Sequence, residues 1–138
     1  MDDTYQIKFL KKPKWDAIGP QLQAFNVQQT GDKRHDYICY VVRAENKAIM
    51  GGLIAEVYWG WLYINLLWLH EDLRGRGYGH QLLTLAEEKG RAMGAKFAYL
   101  DTFSFQAPEF YKAHGYQVFG ELHDFPPGHQ RYFFQKKL

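Results

Sequence analysis

The sequence predicts a mixed α/β domain, and three observations carry that prediction. Several apolar runs of strand length alternate with turn residues. One long stretch, residues 78–93, has apolar residues at helical spacing behind a glycine-rich loop. The chain has 138 residues, 46% of them apolar and 17% aromatic, which is enough to bury one core without staples. One cysteine, Cys39, excludes an internal disulfide and a multi-cysteine zinc site. No linker, repeat or low-complexity tract interrupts the chain, so residues 1–138 read as a single domain.

In chain order, residues 4–12 (TYQIKFLKK) read as a first strand. Residues 15–29 read as one or two short helices, interrupted where Gly19 and Pro20 meet. A polar turn leads to a strand at 37–44 (YICYVVRA), where Cys39 sits in an apolar run and reads as a buried thiol. After the turn ENK comes a long strand at 48–60, with the glycine pair Gly51–Gly52 inside it, then another at 61–70 (WLYINLLWLH). The helix at 78–93 is expected to bury Tyr78, Leu82, Leu85, Ala86 and Met93, to pair Glu87 with Arg91, and to stop at Gly94. A strand at 96–103 and a short helix at 108–114 follow, the helix with Pro108 in its first turn and Gly115 at its exit. Two closing strands flank the loop HDFPPGHQ. The predicted order is therefore β-αα-β-β-β-α-β-α-β-β.

Charge and termini bound the function. A formal charge of +2 gives no case for nucleic-acid binding by bulk charge. No apolar run reaches membrane-spanning length, and the first residues lack the apolar core of a signal peptide, so a cytoplasmic protein is expected. The histidines, His123 and His129 of the late loop included, show no metal-ligand spacing, so no metal is expected.

The loop LRGRGYGHQLL is the part that speaks to chemistry. It lacks the Gly-Lys-Ser/Thr ending of a P-loop, and the third glycine of a dinucleotide fingerprint would fall at His80. Alternating glycines at the start of a helix let backbone amides approach an anion at the positive end of the helix dipole. Arg74-Gly75-Arg76-Gly77-Tyr78-Gly79 matches the Q/R-x-x-G-x-G/A motif and resembles that of the GNAT superfamily of N-acetyltransferases. The later APEFYKAHGY resembles that family's second signature, and the element order is similar to the family's order.

The resemblance implies a GNAT-like acyl-CoA N-acyltransferase fold whose fourth and fifth strands splay apart. It implies that acetyl-CoA is the co-substrate, its pyrophosphate held by Arg74, Gly75, Arg76, Gly77, Tyr78, Gly79 and His80. The pantetheine arm would pair with the backbone of Leu67, Trp68 and Leu69. Tyr111 stands where the family often has its general acid. The family's asparagine in N-x-x-A is replaced here by Ser104, so Ser104 or Gln106 would take the contact to the cofactor arm. Glu56 is the first candidate for a general base, with Glu71, Asp72, Asp101 or a water chain as alternatives. Trp15, Phe25, Tyr58, Trp59, Trp61, Phe125 and His129 are candidates to meet the acceptor. The implied reaction is acetyl transfer to a primary amine, of a small molecule or a peptide, by direct attack in a ternary complex. A CoA-binding module without catalysis and a transferase for longer acyl groups are the alternatives. The strand edges would permit a homodimer.

Overall fold

The computed structural model describes residues 4–138. By its internal contacts the chain divides into two units, residues 1–33 and 34–138. In the first unit the predicted strand at 4–12 does not form. A strand needs a neighbour to satisfy its N–H and C=O groups, and the unit's regular structure is a helix, α1 (Trp15–Thr30). This helix is continuous across Gly19 and Pro20, where an interruption was expected. Pro20 removes one N–H, but the residue before it is glycine, so the usual clash of the proline ring with a preceding Cβ is absent. Gly31 ends the helix at φ 70°, its N–H bonding to the carbonyl of Val27.

The second unit is a six-stranded sheet with the order β1-β2-β3-β4-β6-β5. Its strands are β1 (Asp36–Arg43), β2 (Ile49–Tyr58), β3 (Trp61–Leu69), β4 (Phe97–Phe103), β5 (Gln117–His123) and β6 (Gln130–Lys137). β1, β2 and β3 form an antiparallel meander. Trp59 and Gly60, both at positive φ, make the tight turn between β2 and β3. β3 and β4 are parallel, joined by α2 (Tyr78–Ala92). The short α3 (Pro108–Ala113) connects β4 to the antiparallel β5–β6 pair.

The core gathers Leu53, Ala55, Leu62, Leu83, Ala86, Leu100 and Phe134. On α2 the buried stripe is Gly79, Leu82, Leu83, Ala86, Glu87 and Gly90. Leu85, expected inside, is exposed, and Glu87, expected to pair on the surface with Arg91, is buried. Cys39 also departs from expectation. Strand alternation turns Ile38 into the core, so Cys39 faces the other side and is exposed. The glycine pair of β2 answers to crowding. A Cβ on Gly51 would lie 2.8 Å from the carbonyl oxygen of Trp68, and one on Gly52 would lie 2.7 Å from that of Tyr40. Among the described residues, no helix is long and apolar enough to cross a membrane.

Candidate functional site

The site begins with an irregularity in β3. Leu53 opposes Leu67 and Ile54 opposes Leu66, but Ala55 opposes Ile64, so Asn65 is an extra residue on β3. Such a bulge bends and twists its strand. At the same point β3 leaves β4, to which it is paired only from Trp61 to Ile64. Beyond Ile64, the edge of β3 that faced β4 has no neighbouring strand.

The gap between the parted strands is a cleft of about 870 Å³. Its walls are Asn65 to Leu69 of β3, Asp101 to Phe103 of β4, the glycine loop and the start of α2, and Gln106, Phe110 and Tyr111. The site residues predicted from the sequence mostly converge here. Leu67, Trp68, Leu69, Arg74, Gly75, Gly77, Tyr78, Gly79, His80, Gln106 and Tyr111 all line the cleft.

The glycine loop is held open from both ends. A single 3₁₀ turn, Glu71–Leu73, follows β3, and the Arg74 side chain reaches back to the carbonyl of Leu69 at 3.2 Å. Gly75 and Gly77 adopt φ of 74° and 87°, and a Cβ on either would meet nothing within 4 Å. Their conformation needs glycine, and the space beside them is open. Gly79 serves a different end, because a Cβ there would lie 2.8 Å from the Phe110 ring. The N–H of Arg74 is taken by Glu71 at 3.3 Å. Among the described residues, the N–H groups from Gly75 to His80 have no acceptor. They form a fan of donors at the positive end of α2, suited to an anion.

Tyr111 closes the far side. It packs against Phe110, Tyr116 and Phe134 and is nearly buried, yet it reaches the cleft. Among the described residues its hydroxyl has no hydrogen-bond partner. Burial, with a smaller contribution from the Asp101 carboxylate, pushes the phenol up to about 12, so it stays protonated near neutrality. Asp101 itself is held by Arg131 at 2.6 Å and by the Tyr63 hydroxyl at 3.1 Å.

Several expected residues lie elsewhere. Arg76 does not line the cleft; its guanidinium sits over the Tyr78 ring. Ser104 is used up by the start of β6, accepting from the N–H of Gln130 at 3.0 Å. Gln106, by contrast, lines the cleft. Its carbonyl accepts from Thr102 and from the N–H of Phe103, both at 2.9 Å, which leaves its NH2 for the cleft. Glu56 sits one residue behind the cleft wall, bonded to Asn65 at 2.9 Å and to His35 at 3.1 Å.

Tyr58, Trp59 and Trp61 flank the β2–β3 turn, at the end of β3 opposite the cleft. Phe125 and His129 form a second layer behind Phe103 and Phe105. Trp15 and Phe25 belong to the first unit. The aromatic walls are instead Trp68, Phe103, Phe105 and Phe110. Of these, the sequence points to Trp68 but not to Phe103, Phe105, Phe110 or Asn65; the alternation of Phe103 and Phe105 across a strand end was the available signal. Among the described residues, no three His, Cys, Asp or Glu side chains are grouped as metal ligands.

Residues 2–116 match the acetyltransferase (GNAT) family. A blasticidin-S acetyltransferase of Streptomyces morookaense is 37% identical over 95 residues, 68% of this chain and 70% of that protein. An acetyltransferase of Agrobacterium fabrum is 31% identical over 122 residues, 88% of this chain and 89% of that one. The crystal structure of an acetyltransferase from Bacillus cereus aligns with a TM-score of 0.90 at 36% identity, covering 98% of this chain and 99% of that one.

Proposed function

The chain belongs to the GNAT family of acetyltransferases, and from that premise we propose that it moves the acetyl group of acetyl-CoA to a primary amine of a small molecule, in the cytoplasm. The observation that carries the reading is a convergence. A fan of unpaired N–H groups, an unpaired strand edge and a protonated phenol open into one cleft.

Each part has a task. The N–H groups from Gly75 to His80, with Arg74, bind the diphosphate. The open spaces beside Gly75 and Gly77 fit that use. The free edge from Leu66 to Leu69 pairs with the amide-bearing arm as an added strand, and the NH2 of Gln106 holds the arm from the other side. Acetyl-CoA supplies the activated thioester. Tyr111 gives its phenolic proton to the departing sulfur as the new C–N bond replaces the C–S bond. The proton lost by the amine passes through water to Glu56, which Asn65 and His35 hold just behind the wall.

The acceptor class follows from the relative that is a blasticidin-S acetyltransferase: we propose a small antibiotic-like or polyamine-like amine. The test is release of free CoA thiol from acetyl-CoA against a panel of amines that includes blasticidin S. Amine-dependent release with an acetylated product supports the reading. Tight CoA binding with no turnover on any amine would instead identify a CoA-binding module, and turnover only with longer acyl-CoAs would change the donor.

A further inference from the structure

Behind the glycine loop lies a polar network that the proposed reaction does not use. Its centre is Glu87 of α2, 4% exposed. The Glu87 carboxylate accepts from the Tyr116 hydroxyl at 2.9 Å and from the Lys136 ammonium at 3.0 Å on both oxygens. Lys136 also donates to the carbonyl of His114 at 2.9 Å. The Nε2 of His114 lies 3.4 Å from the same carboxylate. Every partner a buried carboxylate needs is thus present.

The network continues to the cleft. The Nδ1 of His114 is 2.8 Å from the Nδ1 of His80, and the two rings lie edge to edge in nearly one plane, their centroids 5.1 Å apart at 12°. His80 is the third residue of α2 and lines the cleft among the free N–H groups. Two ring nitrogens at that distance need one donor and one acceptor. The Nε2 of His114 faces a carboxylate, so its proton belongs there. Burial, joined by Lys136 and His80 and opposed by Glu87, lowers the pKa of His114 and favours the neutral ring. The Nδ1 of His114 therefore accepts, and the Nδ1 of His80 carries the hydrogen. That leaves the Nε2 of His80, which has no partner among the described residues, as the ring atom able to gain or lose a proton. With a lone pair it repels an anion; protonated, it makes a charge-assisted hydrogen bond to one.

We propose that His80 is a proton-coupled phosphate ligand: the diphosphate binds together with a proton taken up from solvent at Nε2 of His80, and His114 and Glu87 are the positioning residues that fix the ring for it. The groups around this pair are Phe110 from α3, Glu87 from the same helix, Lys136 from β6 and Tyr116 after α3, and Arg74 lines the same cleft as His80. The inference rests on the reading of the cleft as a CoA site.

The probe is 3′-dephospho-CoA, because a phosphate monoester such as the 3′-phosphate of CoA itself titrates near pH 6 and would mask the effect. Calorimetric titrations in buffers of different ionisation enthalpy count the protons taken up on binding. Uptake of a fraction of one proton is expected, with affinity falling as the pH rises. His80 is exposed, so His80→Gln leaves the core intact. In that variant the uptake disappears and affinity drops about tenfold at the acid end but little at the alkaline end. His114→Phe shifts the pH profile, and His114→Gln, whose side-chain carbonyl still accepts from the Nδ1 of His80, restores it. Binding with no proton uptake, or a His80→Gln variant with the wild-type pH slope, overturns the inference and leaves the CoA site standing. A folded protein that binds neither CoA nor 3′-dephospho-CoA overturns both.

Discussion

The two halves of β3 have the same neighbour on one side and opposite fates on the other. From Trp61 to Ile64 the strand is paired to both β2 and β4, and Leu62 and Ile64 are buried in the core. From Leu66 to Leu69 it keeps β2 and loses β4, and its side chains line a cleft. One residue, Asn65, lies between them. The contrast teaches how a sheet becomes a binding site without a special loop. An extra residue marks the point where the parallel strands part, and the open half is left with an unpaired backbone edge. The closed half belongs to the core, and the open half lines the cleft.

The largest expected effect tests the closed half. Leu62→Ala removes a fully buried side chain that also packs on Gly90. It should cost about 2–5 kcal/mol in denaturant unfolding, while the folded fraction keeps its affinity for CoA. A comparable loss of affinity would mean that the halves are not separable.

Next comes Tyr111→Phe, at the floor of the open half. Turnover should fall about 100-fold, with the KM for acetyl-CoA within about twofold. Among the described residues its hydroxyl has no partner, so stability should barely change. The phenol is pushed up to about 12, and only its protonated form can act as an acid. The Tyr111-dependent part of the rate is therefore present at every pH well below that value and lost as the pH rises through it. A wild-type alkaline limb near neutrality that disappears in Tyr111→Phe would refute this assignment.

Deleting Asn65 attacks the contrast itself. The deletion restores an unbroken β2–β3 register and strict alternation from Leu62 to Leu69. It should preserve folding and weaken CoA binding about thirtyfold, as read by calorimetry. Unchanged affinity would show that the bulge does not open the strands.

The smallest effect is expected at the junction. Glu56→Gln should keep the bridge to Asn65 and lower turnover about tenfold, most at low pH where the amine needs a base. A rate unchanged across pH would assign the proton to water alone.

Much of this arrangement was legible in the sequence because it depends on local rules. The helix start at Tyr78 and the conformations of Gly75 and Gly77 follow from residues close together in the chain. What escaped depends on neighbours. Glu87 at helical spacing from Arg91 reads as a surface pair; it is buried because His114 and Tyr116, from the connection between α3 and β5, and Lys136, from β6, surround it. Cys39 sits in an apolar run, yet the sheet shows that its face is the outer one. Residues 4–12 have strand composition, but composition cannot provide the partner that a strand requires. The aromatic acceptor candidates around the β2–β3 turn stand at the end of β3 away from the cleft.

By itself, then, the order of residues determined the fold class and the glycine-rich loop that opens α2, because glycine conformations, helix starts and periodicity are short-range properties. Only the tertiary structure decided that the open half of β3 would meet that loop, that Gln106 would replace Ser104 at the cleft, and that a buried carboxylate would reach His80 through a second histidine. The physical reason is that bulges, strand partners and buried charge networks are settled by groups distant in sequence, whose energies exist only once the sheet has closed around them.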